Sequence, residues 1–125
     1  MQYRSFGRLD WHPSALGFGA MHLPTVGDDM AVIDEELATR MIRTAIDAGV
    51  NYVDTAWPYH RQQSEPFVGR CLQDGYRDRV KLATKMPSWL IKENADFDKH
   101  LAIQLERLQT DRIDFYLLHG LNKER

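Results

Sequence analysis

The chain has 125 residues, the size of one domain or part of one, and its composition is that of an ordinary folded protein. Basic and acidic residues are interspersed to a formal charge of −2, which disfavours nucleic acid and anionic membranes as partners. The single cysteine, Cys71, excludes an internal disulfide. No signal-peptide or membrane-spanning pattern is seen, so the cytoplasm is the expected compartment.

The first half of the chain predicts two strands and a helix between them. Residues Gln2–Phe6 and the turn-like residues after them predict a short amino-terminal β-hairpin, and Ala15–Gly19 predicts a first buried strand. Apolar residues then recur with helical spacing from Asp34 to a carboxy-terminal cap at Gly49. The short, aromatic and β-branched segment Asn51–Asp54 predicts the second strand.

The second half repeats this alternation. Ser64 is a good cap for a second helix, which we expect to end near Gly75, and Val80–Lys85 predicts a third strand. A third helix is marked by a stripe of four apolar residues: Phe97, Leu101, Leu105 and Leu108. A fourth strand, Ile113–Leu118, ends at His119. Alternating strands and helices predict an α/β fold with a parallel sheet and right-handed crossovers.

The positions of three polar residues favour part of a closed (β/α)8 TIM barrel over an open doubly wound sheet. Asp54, Lys85 and His119 each fall at the carboxyl end of a different predicted strand. Barrel enzymes gather their catalytic groups from successive strand ends, whereas an open sheet places its site at a switch point.

The segments around these residues closely resemble the aldo-keto reductase family. The matching motifs are Asp54–Tyr59 with Ser64, Glu65 and Gly69, Leu82–Lys85, and Asp114–His119. The resemblance implies a catalytic tetrad with the family's order and spacing, made up of Asp54, Tyr59, Lys85 and His119. The activity that it implies is NADP-dependent reduction of an aldehyde or ketone carbonyl by hydride transfer.

Carbonyl reduction explains the residue types of the implied tetrad. Negative charge develops on the carbonyl oxygen, so a proton donor is needed, and the resemblance implies that Tyr59 is that donor. Lys85 favours release of the phenol proton by stabilising the phenolate, and Asp54 holds the lysine in place. His119 is expected to hydrogen-bond the carbonyl oxygen. Taken singly, each residue has an ordinary alternative: a turn or cap, a solvated lysine, a loop aromatic, or a histidine at the sheet edge.

By the same resemblance, the loop after the first strand borders the nicotinamide and substrate pocket. The implied cofactor-binding residues are Gly19, Ala20, Met21 and Asp54, and the implied substrate-pocket residues are Trp57 and Trp89. The alternatives are that the glycines only permit close strand packing and that Trp89 packs under its own loop. The five histidines show no ligand spacing, so we expect no metal site in this chain.

Further segments bear on the branch of the family and on the shape of the loop after Tyr59. Tyr3–Gly7 and Leu118–Asn122 resemble a bacterial branch of the family whose full-length members often carry a carboxy-terminal ferredoxin-like domain. His60–Gln63 depart from the common family pattern, which is glycine-rich after the tyrosine. This departure affects the expected loop shape and substrate preference.

A closed eight-stranded barrel needs ~250 residues, so residues 1–125 are expected to form a partial barrel truncated after strand 4. Asn122–Arg125 reads as the approach to a further outer helix. The resemblance implies that NADPH is held mainly by later strands and loops, so we expect the isolated chain to be inactive. The alternatives are a non-catalytic regulatory subunit and a half-barrel that self-associates through its open sheet edges.

Overall fold

A computed structural model describes residues 1–123 as four parallel strands alternating with helices. The strands are β1 (Phe18–Gly19), β2 (Tyr52–Asp54), β3 (Lys81–Pro87) and β4 (Phe115–His119), and the helices are α1 (Glu35–Asp47), α2 (Ser64–Cys71) and α3 (Ala95–Leu108). The strand order in the sheet, β1-β2-β3-β4, is also the chain order. An order without reversal is that of a barrel and not of a doubly wound sheet, so the predicted fold class is confirmed.

The strand register places the carboxyl ends of β1 and β2 beside the middle of β3. Gly19 lies opposite Asp54, Asp54 lies opposite Ala83, and β3 then runs on through Lys85. On the other side of β3, His119 lies opposite Pro87. Polar residues from successive strands therefore collect at one end of the sheet.

Helices α1 and α2 bury their apolar faces against the sheet. Helix α1 begins after Asp34, whose side chain accepts a hydrogen bond from the Leu37 amide, and Glu35 and Glu36 lie at its positive end. The most buried side chains of the core are aliphatic and aromatic: Ile42, Val53, Phe67, Val68, Leu72, Leu82 and Leu108.

Helices α2 and α3 approach each other closely at Gly69. A Cβ atom at this position would lie 2.5 Å from the Arg107 carbonyl oxygen and 2.9 Å from the Leu108 Cα. No real Cβ approaches backbone atoms so closely, so a glycine is required for this helix packing.

The amino-terminal segment differs in detail from the expectation. Strand β1 is shorter than predicted, because the Ala15 amide donates to the Gln2 carbonyl at 2.7 Å instead of pairing with β2. The predicted hairpin takes the form of one antiparallel bridge between Tyr3 and Ser14, with a hydrogen bond from the Arg4 amide to the Pro13 carbonyl.

The apolar stripe lies on α3 as predicted, but only Leu108 of its four residues is fully buried. Phe97 is exposed, and Leu101 and Leu105 are only half-buried. The buried line of α3 is instead His100, Gln104 and Leu108, since polar partners beneath the helix hold Gln104. On β4, the side chains of Tyr116, Leu117 and Leu118 are 39%, 42% and 55% exposed. Of the predicted approach to a further helix at 122–125, Glu124 and Arg125 lie outside the described residues.

Candidate active site

The pair Asp54 and Lys85 forms the centre of the site. The Lys85 Nζ donates to Asp54 Oδ1 at 2.6 Å and to the Thr55 carbonyl oxygen at 2.8 Å. The Lys85 and Asp54 side chains are only 15% and 27% exposed. Two oxygen acceptors therefore hold the ammonium at the ends of β2 and β3, where solvent screens the ion pair less than at the surface.

Tyr59 and His119 complete a group of four side chains. The Lys85 Nζ lies 4.8 Å from the centroid of the Tyr59 ring. The Tyr59 and His119 rings stand edge to face with centroids 6.1 Å apart, and the Trp89 ring lies 5.3 Å from that of His119. The structure thus brings together all four residues that the sequence indicates for catalysis.

The electrostatics favour a neutral His119. Burial lowers the pKa of His119 and the nearby Lys85 ammonium lowers it further, against an opposite influence of Asp54. Its Nδ1 atom is buried and has no hydrogen-bond partner among the described residues. A neutral imidazole can donate one hydrogen bond to a carbonyl oxygen without a charge of its own.

A cavity of about 420 Å³ opens in front of Tyr59 and His119. Its other lining residues come from the loop after β1 and from the turn around Tyr59: Met21, His22, Met30, Pro58, His60 and Arg61. The volume is that of a small-molecule site.

A chain of buried hydroxyl groups links the ends of β1 and β2 to α2. The Ser64 hydroxyl donates to the Ala20 carbonyl at 3.2 Å, so the Thr55 hydroxyl donates to Ser64 Oγ at 2.8 Å. The prediction that Ser64 caps α2 is therefore wrong. Gln63 occupies the cap position without a side-chain bond, and the Ser64 hydroxyl is used in the core.

Sequence reasoning did not identify a second polar cluster behind the site. The fully buried Glu65 carboxylate accepts from the Thr84 hydroxyl at 2.7 Å and pairs with Arg107 at 3.2 Å. Gln104 Nε2 donates to Glu65 and, at 3.0 Å, to the Lys85 carbonyl. In the sequence, only the presence of Glu65 in the family-like motif pointed to this cluster. Residue type alone does not distinguish a buried carboxylate from one at the surface.

The two predicted pocket tryptophans lie in different surroundings. Trp89 contacts His119 beside the tetrad. Trp57 is 8% exposed, and its ring contacts the Arg107 guanidinium at 3.9 Å and the His100 ring at 5.2 Å, both on α3. Its role in a substrate pocket stays a prediction, whereas its observed contacts are with the helix.

The predicted cofactor-binding loop lies against Asp54. The Ala20 amide donates to the Asp54 carbonyl at 2.8 Å, and Ala20 is fully buried, while Gly19 and Met21 are exposed. Within residues 1–123, no group of three or more His, Cys, Asp or Glu side chains is placed to bind a metal ion. No helix in the same residues is long and apolar enough to cross a membrane.

Comparison with known proteins agrees with this geometry. The Aldo/keto reductase family model matches residues 15–124. An aldo-keto reductase of Bacillus subtilis is 34% identical over 95% of this chain and 38% of its own length. The holo form of an aldo-keto reductase from Bacillus halodurans is 35% identical with a TM-score of 0.79, over 99% of this chain and 42% of that one.

A third relative is a Klebsiella pneumoniae aldo-keto reductase solved in complex with NADPH. It is 31% identical with a TM-score of 0.73, over 90% of this chain and 37% of that one. The chain therefore spans about two fifths of the length of these relatives. It belongs to the aldo/keto reductase family, and its four strands form half of that family's barrel.

Proposed function

We propose that this chain supplies the proton-donating half of an NADP-dependent oxidoreductase that reduces aldehyde or ketone carbonyls. The observation that supports this function is the Lys85 ammonium, which is held by Asp54 and the Thr55 carbonyl and lies 4.8 Å from the Tyr59 ring. An ammonium this close to the ring stabilises the negative charge that remains on the phenol oxygen after its proton is transferred.

Each of the four residues has one part in the reaction. Tyr59 gives its proton to the carbonyl oxygen as negative charge develops there, and Lys85 stabilises the phenolate that remains. Asp54 holds the ammonium in place. His119 donates a hydrogen bond to the same oxygen and so orients the carbonyl towards Tyr59.

The end of β1 is open beside Asp54. Gly19 is exposed, and a Cβ atom on it would meet no atom within 4 Å. We therefore assign the edge of the cofactor site to Gly19, Ala20, Met21 and Asp54. Bound NADPH supplies the hydride, and relatives such as the Klebsiella pneumoniae enzyme were solved with this cofactor.

The experiment is a chimera that joins residues 1–120 to the corresponding carboxy-terminal half of the Bacillus halodurans relative. We expect NADPH-dependent reduction of aldehydes, and we expect Tyr59→Phe to lower kcat at least ~100-fold because the general acid is lost. Tyr3→Phe, a surface change that removes the same hydroxyl group, is the control. The isolated 125-residue chain should not oxidise NADPH measurably.

A folded chimera that retains full activity as Tyr59→Phe would contradict the assignment of the donor. NADPH oxidation by the highly purified isolated chain would contradict the requirement for a second half. The two outcomes are distinguishable because they concern different polypeptides.

The exposed apolar side chains of β4 favour a second candidate, a non-catalytic half-barrel that self-associates. Tyr116, Leu117 and Leu118 are all more than a third exposed, on a strand with one edge that no other described strand pairs. Size-exclusion chromatography with light scattering tests this candidate. A discrete dimer of the isolated chain would support this candidate, and a monomer would contradict it.

A further inference from the structure

The backbone that follows Tyr59 adopts a conformation that its residues rarely adopt. His60, Arg61 and Gln62 have φ angles of 51°, 50° and 70°. A Cβ atom disfavours this left-handed region, and three successive residues in it are rarer still. Contacts of these residues with the rest of the chain must therefore offset the strain, and we name residues 59–62 the Tyr59 turn.

His60 makes such contacts through both ring nitrogens. The ring is 3% exposed, its Nε2 accepts from the Leu23 amide at 3.0 Å, and its Nδ1 lies 2.8 Å from the Met30 carbonyl oxygen. An amide only donates and a carbonyl only accepts, so the proton is on Nδ1 and the ring is neutral. An imidazolium has no acceptor for the Leu23 amide.

Both partners of His60 belong to the loop that follows β1, residues 20–33, which we name the β1 loop. The loop is closed on itself by hydrogen bonds from the Val26 amide to the Val32 carbonyl and from the Asp34 amide to the Pro24 carbonyl. His60 therefore contacts this closed unit near its beginning, at Leu23, and near its tip, at Met30. One ring therefore bonds to the β1 loop at two separate points.

The cavity in front of the tetrad lies between these two segments. Met21, His22 and Met30 line it from the β1 loop, and Tyr59 and Arg61 line it from the Tyr59 turn. Its width depends on the distance between the two segments. Besides the His60 contacts, the exposed ion pair between Arg61 and Asp29 joins them at 3.7 Å, a contact that contributes little.

We propose that His60 is a positioning residue whose neutral, Nδ1-protonated ring ties the β1 loop to the Tyr59 turn and thereby fixes the width of the cavity in front of Tyr59 and His119. The Leu23 amide and the Met30 carbonyl, which would otherwise bond to water, both bond to the buried His60 ring. That the cavity so shaped receives a carbonyl substrate rests on the function proposed above. The contact of His60 with the β1 loop does not depend on that function.

The test uses ¹⁵N NMR on the 125-residue chain without cofactor or substrate. We expect the His60 ring to show the neutral Nδ1-protonated form at neutral pH and the Leu23 amide to be protected from hydrogen exchange. In His60→Gly, Leu23 exchange should accelerate at least ~10-fold, because its acceptor is lost. The Thr55 and Val26 amides, which bond to the sheet and within the loop, should keep their protection. His12→Gly, at an exposed histidine, is the matched control.

Three results would overturn the proposal. They are an Nε2-protonated ring in the wild-type chain, an imidazolium at neutral pH, and unchanged Leu23 exchange in His60→Gly. If His60→Gly loses protection at every amide, the variant is unfolded. The protonation state of the wild-type His60 ring then decides the test. Since no step measures catalysis, failure of the reductase assignment and failure of this proposal are separate outcomes.

Discussion

The buried carboxylate of Glu65 allows a quantitative test of what holds α2 and α3 together. Glu65 is 0% exposed, and its charged partner is Arg107, whose side chain is 21% exposed. The change Arg107→Leu keeps much of the side-chain volume but removes the cation. The carboxylate then keeps only the neutral donors Thr84 and Gln104.

The expected loss of stability follows from these contacts. Removing one partner of a buried ion pair costs about 3–5 kcal/mol, and the partial exposure of Arg107 places this pair at the lower end of that range. The contact of Arg107 with the Trp57 ring at 3.9 Å contributes about 0.5–1 kcal/mol more. We therefore expect Arg107→Leu to lower the free energy of unfolding by about 3–4 kcal/mol, a large part of the stability of a small domain.

Urea unfolding of the chain, followed by circular dichroism, measures this loss. Arg40→Leu is the control, since Arg40 pairs with Glu36 on the surface of α1 and should lose no more than about 0.5 kcal/mol. Adding Glu65→Gln to Arg107→Leu removes the unpaired charge and should recover most of the loss. A loss below about 1 kcal/mol, or a double variant no better than the single one, would refute the reasoning.

Further predictions concern the helix packing and the titration of the site. Gly69→Ala should lower the free energy of unfolding by about 1–3 kcal/mol, because its Cβ meets backbone atoms of α3, whereas Gly19→Ala should be tolerated in the same urea titration. Lys85→Met should raise the pKa of His119 in an NMR titration, because the ammonium helps to lower it. Since the folded chain takes up the His119 proton less readily than the unfolded chain, the free energy of unfolding should fall as pH drops below about 6.5, and less so in His119→Gln.

The sequence was sufficient for the parts of the fold that depend on local pattern. The helical spacing after Asp34 and the β-branched segment ending at Asp54 both lie where they were expected. The stripe located α3 but not its buried line, because hydrophobicity alone ranks Leu101 and Leu105 above Gln104. Gln104 is buried because its amide donates to Glu65 and to the Lys85 carbonyl. These bonds form only when α2, α3 and β3 are packed together, so the sequence pattern does not reveal them.

In the candidate site, too, the sequence located the residues that depend on local pattern and missed contacts between distant segments. Asp54, Lys85 and His119 were located by their positions at strand ends, a property that chain order determines. The hydroxyl of Ser64 was assigned to a helix cap because capping is its usual role, but its acceptor is Ala20, 44 residues away in the chain. The ring of His60 stabilises a left-handed turn that no local propensity favours.

The tetrad is built from strands that are consecutive in the chain, and this explains how it forms in half a barrel. Right-handed crossovers place consecutive parallel strands side by side, so the ends of β2 and β3 meet with no contribution from later strands. The ion pair between Asp54 and Lys85 and the bond to the Thr55 carbonyl lie within that pair of strands. His119 is added by β4, whose other edge is unpaired among the described strands. The assembly of these four side chains and the completion of the barrel are therefore separable: NMR of His119 tests the first, and activity of the chimera tests the second.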